Sequence, residues 1–284
     1  MPVNKWIIQG DQIVSSDAIP FPYDDCGFLY GYGLFETIRI LDKTPLLLDA
    51  HYRRLHQSAI LMDIMFDLSL SELVRLVQTL IEKNECDNGT LNLYLTGGNR
   101  SQSMYHLGLD IPAFWGVIRP STSGVLSPLS LGLRQTSFQR IHLDGMKTMS
   151  WFKNIMEKRL APEFNDILLY NDDDYILEAT TANVFFIKSG EVITPKSPDI
   201  ISGITRQFVL DLCAKEGIAV HARPVPVSEL AEFDEIFLTN AGHGIIEVKE
   251  LENYDFLNSK TLTTSIKEWY SQSVVGESQK YLVA

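Results

Sequence analysis

Two ionisable side chains lie in sequence settings that favour chemistry over solvation. Lys147 lies in DGMKTMS, close in sequence to two methionines and to Trp151. An amine that is partly shielded from water has a lowered pKa and can act as a nucleophile. Glu178 lies in YILEATTANVFFI, where most neighbouring residues are aromatic, aliphatic or β-branched. Because an unpaired carboxylate on a buried strand is costly, Glu178 would need a cationic partner there.

Two other stretches are suited to binding an anion. SGITR, at 202–206, is typical of a helix start, where the first backbone N–H groups lack partners within the helix and attract anions. Gly203 would let a ligand approach the backbone closely. Arg54, next to Arg53 in HYRRLHQSA, could bind a phosphate through two parallel hydrogen bonds.

Each of these features also has an ordinary explanation. Lys147 could be a surface lysine at a helix start, and Glu178 could be a strand-end residue that faces water. The arginines could be solvated. Taken together, the features match the needs of pyridoxal phosphate, which are a lysine for a Schiff base, a carboxylate for the ring nitrogen and a cup for the phosphate.

Short strands and amphipathic helices must position these residues. The predicted strands lie at 6–14 (a hairpin), 33–41, 46–48, 90–98, 113–120, 129–137, 166–171, 175–178, 183–187, 192–195, 219–227 and 235–240. The predicted helices lie at 50–62 with Asp49 as cap, from Ser71 onward, and at 150–164, 202–217, 227–233 and 263–274. The pattern indicates two α+β lobes with antiparallel or mixed sheets. PSTSGVLSP predicts a linker at 120–128 between a small N-terminal domain, 1–119, and a large C-terminal cofactor-binding domain, 129–284.

The composition narrows the class of protein. The chain has 284 residues and is 45% hydrophobic, enough for a large core, and its net charge of −12 argues against a nucleic-acid partner. The three cysteines have no CxxC spacing and the histidines no HxxxH spacing, so we expect a reducing compartment and no metal site. The sequence has neither a signal pattern nor an apolar run of membrane length, so we expect a cytoplasmic protein without a membrane partner.

Six segments of the chain resemble, in the same order, segments of the class IV aminotransferase family, the fold-type-IV pyridoxal phosphate enzymes. They are DCGFLYGYGLFETIRI, LLDAHYRRLHQSA, MKTMSWFKN, LEATTANVFF, SGITRQF and DEIFLTNA. The resemblance covers nearly the whole chain. It implies a two-domain α+β fold of the D-amino acid aminotransferase type, with a small α/β lobe and a larger lobe built on a mixed, barrel-like sheet. It also implies a homodimer with a shared active site.

The resemblance implies a role for individual residues. Lys147 matches the lysine that forms the Schiff base with pyridoxal 5'-phosphate, and it would then act as the general base. Glu178, in an E-x4-N pattern ending at Asn183, matches the carboxylate that pairs with the ring nitrogen. The residues matching phosphate contacts are Arg54, Gly203, Ile204, Thr205, Asn240 and Ala241, and those matching the substrate side are Tyr30 and Thr37.

The family contains enzymes of different activity, and the wording GFLYGYGLFET is most similar to that of aminodeoxychorismate lyases. Branched-chain aminotransferases usually carry glycine where Thr37 lies. The chain departs from many relatives at Asn92, near where they place an arginine that anchors the substrate carboxylate. Arg100 and Arg39 are substitute candidates. We therefore expect a lyase that forms 4-aminobenzoate and pyruvate, with a branched-chain or D-amino acid aminotransferase using 2-oxoglutarate as the alternative.

A third alternative is a non-catalytic binding protein on the same fold. Loss of Lys147 or Glu178 would indicate such a protein, and both residues are present.

Overall fold

The structure is a computed structural model, which describes residues 5–18, 22–99, 111–120, 127–136, 145–256 and 261–280. The chain divides into two compact units. The first comprises Met1–Ser123, Met146–Trp151 and Val274–Ala284, and the second comprises Gly124–Gly145 and Phe152–Ser273. The proposed division into domains at 1–119 and 129–284 stays a prediction, because most of the intervening linker lies outside the described residues.

The first unit is built on an antiparallel sheet of six strands in the order β2-β1-β6-β5-β3-β4. The strands are β1 (Trp6–Gln9), β2 (Gln12–Ser15), β3 (Gly33–Leu41), β4 (Thr44–Pro45), β5 (Gly89–Thr96) and β6 (Ala113–Pro120), and the helices are α1 (Cys26–Tyr30), α2 (Leu48–Leu61) and α3 (Leu70–Lys83). Leu34, Ile38 and Leu91 belong to a core that also includes apolar residues of α2 and α3. Since strand side chains alternate between faces, Phe35, Thr37 and Arg39 point to the opposite, more open face.

Two helices of this unit, α2 and α3, begin differently from the prediction. α3 begins with a capping box, in which Ser69 accepts from the backbone N–H of Glu72 and the Glu72 carboxylate accepts from that of Ser69. α2 begins after Leu47, which has a left-handed φ of 53° and no side-chain cap. The prediction that Asp49 caps α2 is wrong, because Asp49 lies inside the helix and pairs with Arg53 at 2.7 Å. The predicted strand at 46–48 is also wrong, since the pairing ends with β4 and the chain turns into the helix.

The second unit is built on a mixed sheet, with nine strands among the described residues. The strands are β7 (Leu129–Gln135), β8 (Asp166–Tyr170), β9 (Ile176–Ala179), β10 (Asn183–Lys188), β11 (Glu191–Pro195), β12 (Val220–Arg223), β13 (Glu235–Asn240), β14 (Gly244–Leu251) and β15 (Tyr254–Asp255). Their order is β12-β11-β10-β13-β14-β7-β8-β9, with β15 on β14. The pairs β11–β12, β14–β7 and β7–β8 are parallel, which agrees with the expectation of a mixed sheet.

Three further helices are described, α4 (Phe152–Arg159), α5 (Ile204–Lys215) and α6 (Thr261–Gln279). Residues 183–187 of β10 are all buried, which explains why NVFFI is a continuous apolar run rather than an alternating one. In the part of the chain that the structure describes, no helix combines the length and apolar character that crossing a membrane requires.

Candidate active site

Lys147 is held in place by backbone pairing with β3 in the first unit. The Phe35 N–H donates to the Lys147 carbonyl at 3.0 Å, and the Met149 N–H donates to the Gly33 carbonyl at 2.8 Å. Leu34 and Thr148 form the antiparallel bridge between these bonds. The short segment around the lysine therefore extends one edge of β3, and the sheet fixes where its side chain begins.

Two aromatic rings flank the amine of Lys147. Its Nζ lies 4.4 Å from the centroid of the Phe35 ring and 4.7 Å from that of Trp151. The two rings are perpendicular, with centroids 5.3 Å apart, and Lys147 is half-buried. Aromatic faces attract a cation and displace water from it. The sequence pointed to Trp151 as a neighbour, whereas Phe35 comes from a strand more than a hundred residues earlier.

A buried carboxylate, Glu36, organises the region behind the lysine. Its side chain is 1% exposed and accepts hydrogen bonds from Arg54 through Nε at 2.7 Å and through Nη2 at 2.5 Å. His51 Nδ1 lies 2.6 Å from the same carboxylate. The helix α2 presents His51 and Arg54 three residues apart on one face, so both reach the strand beside it.

The charges in this cluster follow from burial and pairing. Burial raises the pKa of Glu36, but Arg54 and His51 outweigh that effect and bring it from 4.5 to about 2. Burial lowers the pKa of His51, and the nearby Arg54 and Lys147 charges also lower it, although Glu36 opposes them. We therefore assign a neutral imidazole whose Nδ1–H donates to Glu36. The contribution of Lys147 to this shift shows that the lysine and the Glu36 cluster share one region of the first unit.

The two arginines predicted as alternatives for an anion have different surroundings. Arg53 is 58% exposed and pairs with Asp49 on the helix surface. Arg54 is 13% exposed and is oriented by the two-pronged contact with Glu36. Of the two, Arg54 has the fixed geometry that bidentate anion binding requires. Glu36 and His51, which create this geometry, were not assigned a role from the sequence.

The open face of the first sheet carries three of the predicted substrate residues, Thr37, Arg39 and Asn92. Asn92 Nδ2 donates to Thr37 Oγ1 at 3.1 Å across the β3–β5 pairing. Arg39 lies one row further along the same face, opposite Thr90. Tyr30 ends α1 and is 42% exposed. Arg100 lies outside the described residues.

Glu178 in the second unit is buried, with 5% exposure, so the alternative of a water-facing strand end is wrong. One carboxylate oxygen accepts from Asn183 Nδ2 at 2.9 Å and from the Ile201 N–H at 3.0 Å. Asn183 also donates to the Ile201 carbonyl at 3.0 Å. The E-x4-N spacing therefore joins a residue of β9 to the first residue of β10 through a side-chain hydrogen bond, and both contact the chain that leads into α5.

The charged group that acts on Glu178 in this unit was also missed by sequence reasoning. Arg206, in the first turn of α5, donates to Thr194 Oγ1 at 3.2 Å and to the Pro195 carbonyl at 2.9 Å. Burial lowers the pKa of Arg206, whereas the negative charge of Glu178 raises it. The sequence did contain a signal for this group. Arg206 lies two residues after Ile204 at a predicted helix start, and a buried arginine needs an anion nearby.

The start of α5 has the properties expected of an anion site. Gly203 is the N-cap residue, and the cap makes no side-chain hydrogen bond to the first amides of the helix. The helix begins at Ile204, and Thr205 is buried. The structure adds a second reason for the glycine: a β-carbon at position 203 would lie 1.9 Å from Asn183 Oδ1. Glycine is thus required by the side chain that holds Glu178, whatever ligand approaches the backbone.

Asn240 and Ala241 lie at the end of β13. Asn240 Oδ1 accepts from the His243 N–H at 2.9 Å and shapes the turn into β14. Its Nδ2 lies 3.5 Å from the Thr181 carbonyl, which belongs to the turn between β9 and β10.

Within the described ranges, no three His, Cys, Asp or Glu side chains are arranged to hold a metal ion.

The structure thus brings the predicted residues together in two groups. One contains Lys147 and Arg54 with the added Glu36 and His51, and it belongs to the first unit. The other contains the residues of the second unit, which are Glu178, Asn183, Gly203, Ile204, Thr205, Asn240 and Ala241 with the added Arg206.

Comparison with known proteins identifies the family of the chain. The profile of the amino-transferase class IV family matches residues 33–251. The chain belongs to the class IV amino-transferase family. Members of this family are pyridoxal phosphate-dependent aminotransferases or lyases, and the protein is an enzyme of that kind.

Relatives of this class IV amino-transferase have different names. A D-alanine aminotransferase of Bacillus licheniformis is 28% identical over 273 residues, which is 90% of this chain and 93% of that one. An aminodeoxychorismate lyase of Bacillus subtilis is 25% identical over 280 residues, 94% of each chain. Sequence similarity at this level shows the family but does not separate the two reactions.

Solved structures confirm the fold class. The branched-chain amino acid aminotransferase from Escherichia coli superposes with a TM-score of 0.87, covering 97% of this chain and 96% of that chain. Its identity to this chain is 19%, so the similarity concerns the fold. The predicted α+β fold of the fold-type-IV enzymes is confirmed.

Proposed function

We propose that this enzyme is a pyridoxal 5'-phosphate-dependent 4-amino-4-deoxychorismate lyase, which eliminates pyruvate to leave 4-aminobenzoate. The observation that carries the proposal is the pair of Thr37 and Asn92 on the open face of the first sheet. It places a hydroxyl on the strand β3, along which the segment of Lys147 pairs. The similarity to the Bacillus subtilis lyase supports the same reaction.

The residues present suit the cofactor that the family implies. The set comprises a half-buried primary amine at Lys147, a buried carboxylate at Glu178 and a pre-oriented guanidinium at Arg54. α5 adds a helix start whose amides are not capped by a side chain. An amine, a carboxylate and a phosphate-binding set are the groups that pyridoxal phosphate needs. When bound, the cofactor supplies an electron sink that allows the substrate Cα–H bond to break.

Lys147 carries two roles in this proposal. Its amine is the point of covalent attachment, and after release by the substrate it takes the proton from Cα as general base. The aromatic rings of Phe35 and Trp151 restrict water around the amine. The sheet pairing of the lysine segment limits the positions that the amine can reach.

Glu178 and the anion-binding groups hold the cofactor in the proposal. The Glu178 carboxylate accepts a hydrogen bond from the protonated ring nitrogen and keeps the proton there. Asn183 and the Ile201 amide donate to the carboxylate and fix its position. As the family resemblance implies, the backbone amides at Ile204 and Thr205 would bind the phosphate, and Arg54 would contribute its guanidinium.

The hydroxyl of Thr37 distinguishes elimination from amino transfer in this proposal. Because Asn92 Nδ2 donates to Thr37 Oγ1, the hydroxyl proton of Thr37 is directed to another acceptor. It can donate to the leaving carboxyvinyl group, whose oxygen gains negative charge as its bond breaks. An aminotransferase has no departing group at this position and does not need the donor.

A paired assay on purified protein tests the proposal. One arm follows 4-aminobenzoate and pyruvate released from aminodeoxychorismate, and the other follows 2-oxoglutarate-dependent loss of L-leucine or D-alanine. We expect turnover in the first arm. Thr37→Val should lower elimination roughly tenfold or more, whereas Thr37→Ser should retain it. Turnover in the second arm alone would overturn the lyase proposal.

Lys147→Ala and Lys147→Arg are the controls for the cofactor chemistry. Both should remove the visible absorbance of the bound cofactor and lower turnover by roughly 10²–10⁴-fold or more. If Lys147→Ala kept the absorbance and the rate, the assignment of the covalent attachment point would be wrong.

The second candidate function is an aminotransferase acting on D-amino acids or on branched-chain L-amino acids with 2-oxoglutarate. The similarity to the Bacillus licheniformis D-alanine aminotransferase favours it. Asn92 counts against this candidate, because many relatives anchor the substrate carboxylate through an arginine near this position. The carboxylate anchor is then assigned to Arg39, on the same face, or to Arg100.

We also propose that the enzyme is a homodimer with a shared active site, as the family resemblance implies. Phe28, Leu29 and Tyr30 of α1 are exposed and present an apolar surface in the first unit. Light scattering coupled to gel filtration should give twice the chain mass of 32.1 kDa. Phe28→Asp should shift the protein toward the monomer, and Glu216→Gln, at an exposed position of the second unit, should not.

A further inference from the structure

The turn between β9 and β10 joins two strands that do not pair with each other in the described sheet. Thr180 and Thr181 are its two central residues, and the Ala179 N–H donates to the Ala182 carbonyl at 2.8 Å across it. β9 pairs with β8, whereas β10 pairs with β11 and β13. Neither threonine has a positive φ. The turn therefore depends on contacts beyond its own backbone.

Asp166, the first residue of β8, supplies those contacts. Its side chain is buried, with 2% exposure. One carboxylate oxygen accepts from the Thr180 hydroxyl and from the Ile167 N–H, the latter at 2.8 Å. The other oxygen accepts from the Thr181 hydroxyl at 2.6 Å. A single carboxylate thus binds both hydroxyls of the turn.

Further hydrogen bonds hold the backbone of the turn. The Thr180 N–H donates to the Ile167 carbonyl at 3.0 Å, next to Asp166 in the chain. Asn154 of α4, also buried, donates from Nδ2 to the Thr180 carbonyl at 2.6 Å. Thr180 is therefore held through its hydroxyl, its amide and its carbonyl. Contacts from β8 and α4 thus fix this buried residue of the turn.

The residues on either side of the turn explain why it is fixed. Glu178 lies two residues before Thr180, and Asn183 lies two residues after Thr181, joined to Glu178 at 2.9 Å. Side chains alternate between the faces of a strand, so a shift of one residue between β9 and its partner β8 would turn Glu178 to the opposite face. The conformation of the turn thus decides where the Glu178 carboxylate points.

We propose that Asp166 is a positioning residue, which fixes the Thr180–Thr181 turn so that Glu178 meets the cofactor ring nitrogen. This inference rests on the proposed function for the role of Glu178. Asp166 acts through the turn and does not itself contact the cofactor. A residue that only stabilised the fold would change the free energy of unfolding and leave the proton affinity of the bound ring unchanged.

The test compares Asp166→Asn, Thr181→Val and Thr181→Ser with the wild type. Asparagine keeps the shape but accepts at only one atom, and valine keeps the shape of threonine without its hydroxyl. Serine keeps the hydroxyl and is the matched control. At saturating pyridoxal phosphate, we measure the pH titration of the visible absorbance, kcat and KM, together with hydrogen exchange at residues 178–183 in the protein without cofactor.

For Asp166→Asn and Thr181→Val we expect faster exchange at residues 178–183, a shifted absorbance titration and a loss of kcat of roughly 10-fold or more with little change in KM. Thr181→Ser should behave as the wild type, and Asp166→Glu should recover part of the loss. Thr181→Val serves as the main variant if Asp166→Asn fails to fold.

The outcomes separate this inference from the proposed function. Wild-type protein that binds no pyridoxal phosphate would overturn both. Wild-type protein that binds it, together with variants that keep the wild-type titration, kcat and exchange, would overturn the positioning role alone. Lower stability with an unchanged titration would show that Asp166 is structural and would also overturn it.

Discussion

At the scale of single residues, the chemistry of the first unit depends on the partners of Arg54. An arginine on the buried face of a helix requires an acid, and Glu36 supplies it from the neighbouring strand. Glu36 holds a guanidinium and a neutral imidazole at once, so it fixes two side chains of α2 relative to β3. Arg54 is therefore oriented before any anion binds, which lowers the entropy lost on binding.

The low pKa of Glu36 leads to a prediction about acid stability. Because its pKa falls from 4.5 to about 2 on folding, its stabilising contribution is complete above pH 4.5 and is lost as the pH falls toward 2. A shift of this size corresponds to on the order of 3 kcal/mol. Glu36→Gln should remove this dependence and, at pH 7, destabilise the fold by about 3–5 kcal/mol, since Arg54 loses its partner.

Urea unfolding of the wild type and Glu36→Gln at pH 7 and pH 3 measures this prediction. Glu82→Gln, an exposed glutamate on α3, is the control and should leave both values within about 0.5 kcal/mol. An equal loss of stability on acidification in the wild type and Glu36→Gln would show that Glu36 is not the acid-sensitive group.

The sequence was informative at this scale where a residue stood in a recognisable segment. Lys147, Glu178 and Arg54 could be selected because their segments resemble those of a known family, and the structure groups them with partners of suitable chemistry. Glu36, His51 and Arg206 could not be selected in the same way, because their significance depends on pairing across elements. The spacing of His51 and Arg54 on the buried face of α2 was the available signal for Glu36.

At the scale of elements, α6 depends on an acceptor from a distant strand. The Glu235 carboxylate, at the start of β13, accepts from the Leu262 N–H at 3.1 Å and from the Thr263 N–H at 2.8 Å. These amides belong to the first turn of α6 and have no partner within the helix. Glu235 is buried and carries the negative charge that the helix start favours.

Glu235→Gln should therefore destabilise the protein by about 1–2 kcal/mol, the range measured for loss of a helix cap. Hydrogen exchange at Leu262 and Thr263 should accelerate more than exchange elsewhere in α6. Glu268→Gln, on the exposed side of the same helix, is the control and should have little effect. Uniform acceleration along all of α6 would argue against a capping role.

Most elements could be predicted from hydrophobic period and turn residues, but three details could not. β14 was missed because Glu247, Lys249 and Glu250 interrupt its apolar pattern. α1 was missed because it has five residues, too few for a period to emerge. The start of α2 was misplaced because a left-handed Leu47, rather than a capping side chain, begins the helix. In each case tertiary packing outweighed local preference.

At the scale of the whole molecule, the sequence predicted the fold class correctly. The two α+β lobes and the mixed sheet of the second follow from the order of short strands and amphipathic helices. The chain returns to the first unit at Met146–Trp151 and again at Val274–Ala284, which no linker composition indicates. Long-range pairing of the Lys147 segment with β3 creates the first return, and pairing partners far apart in sequence cannot be deduced from local patterns.

The return of the chain to the first unit at Met146–Trp151 has a consequence for the engineering of chimeras. The Lys147 segment lies in sequence between two stretches of the second unit, while β3, the strand with which it pairs, lies much earlier in the chain. A chimera of two homologues that exchanges only one of these stretches would combine Lys147 from one parent with β3 from the other. Active chimeras should therefore inherit both stretches from the same parent. Neither stretch expressed alone would contain both Lys147 and the strand that pairs with its segment.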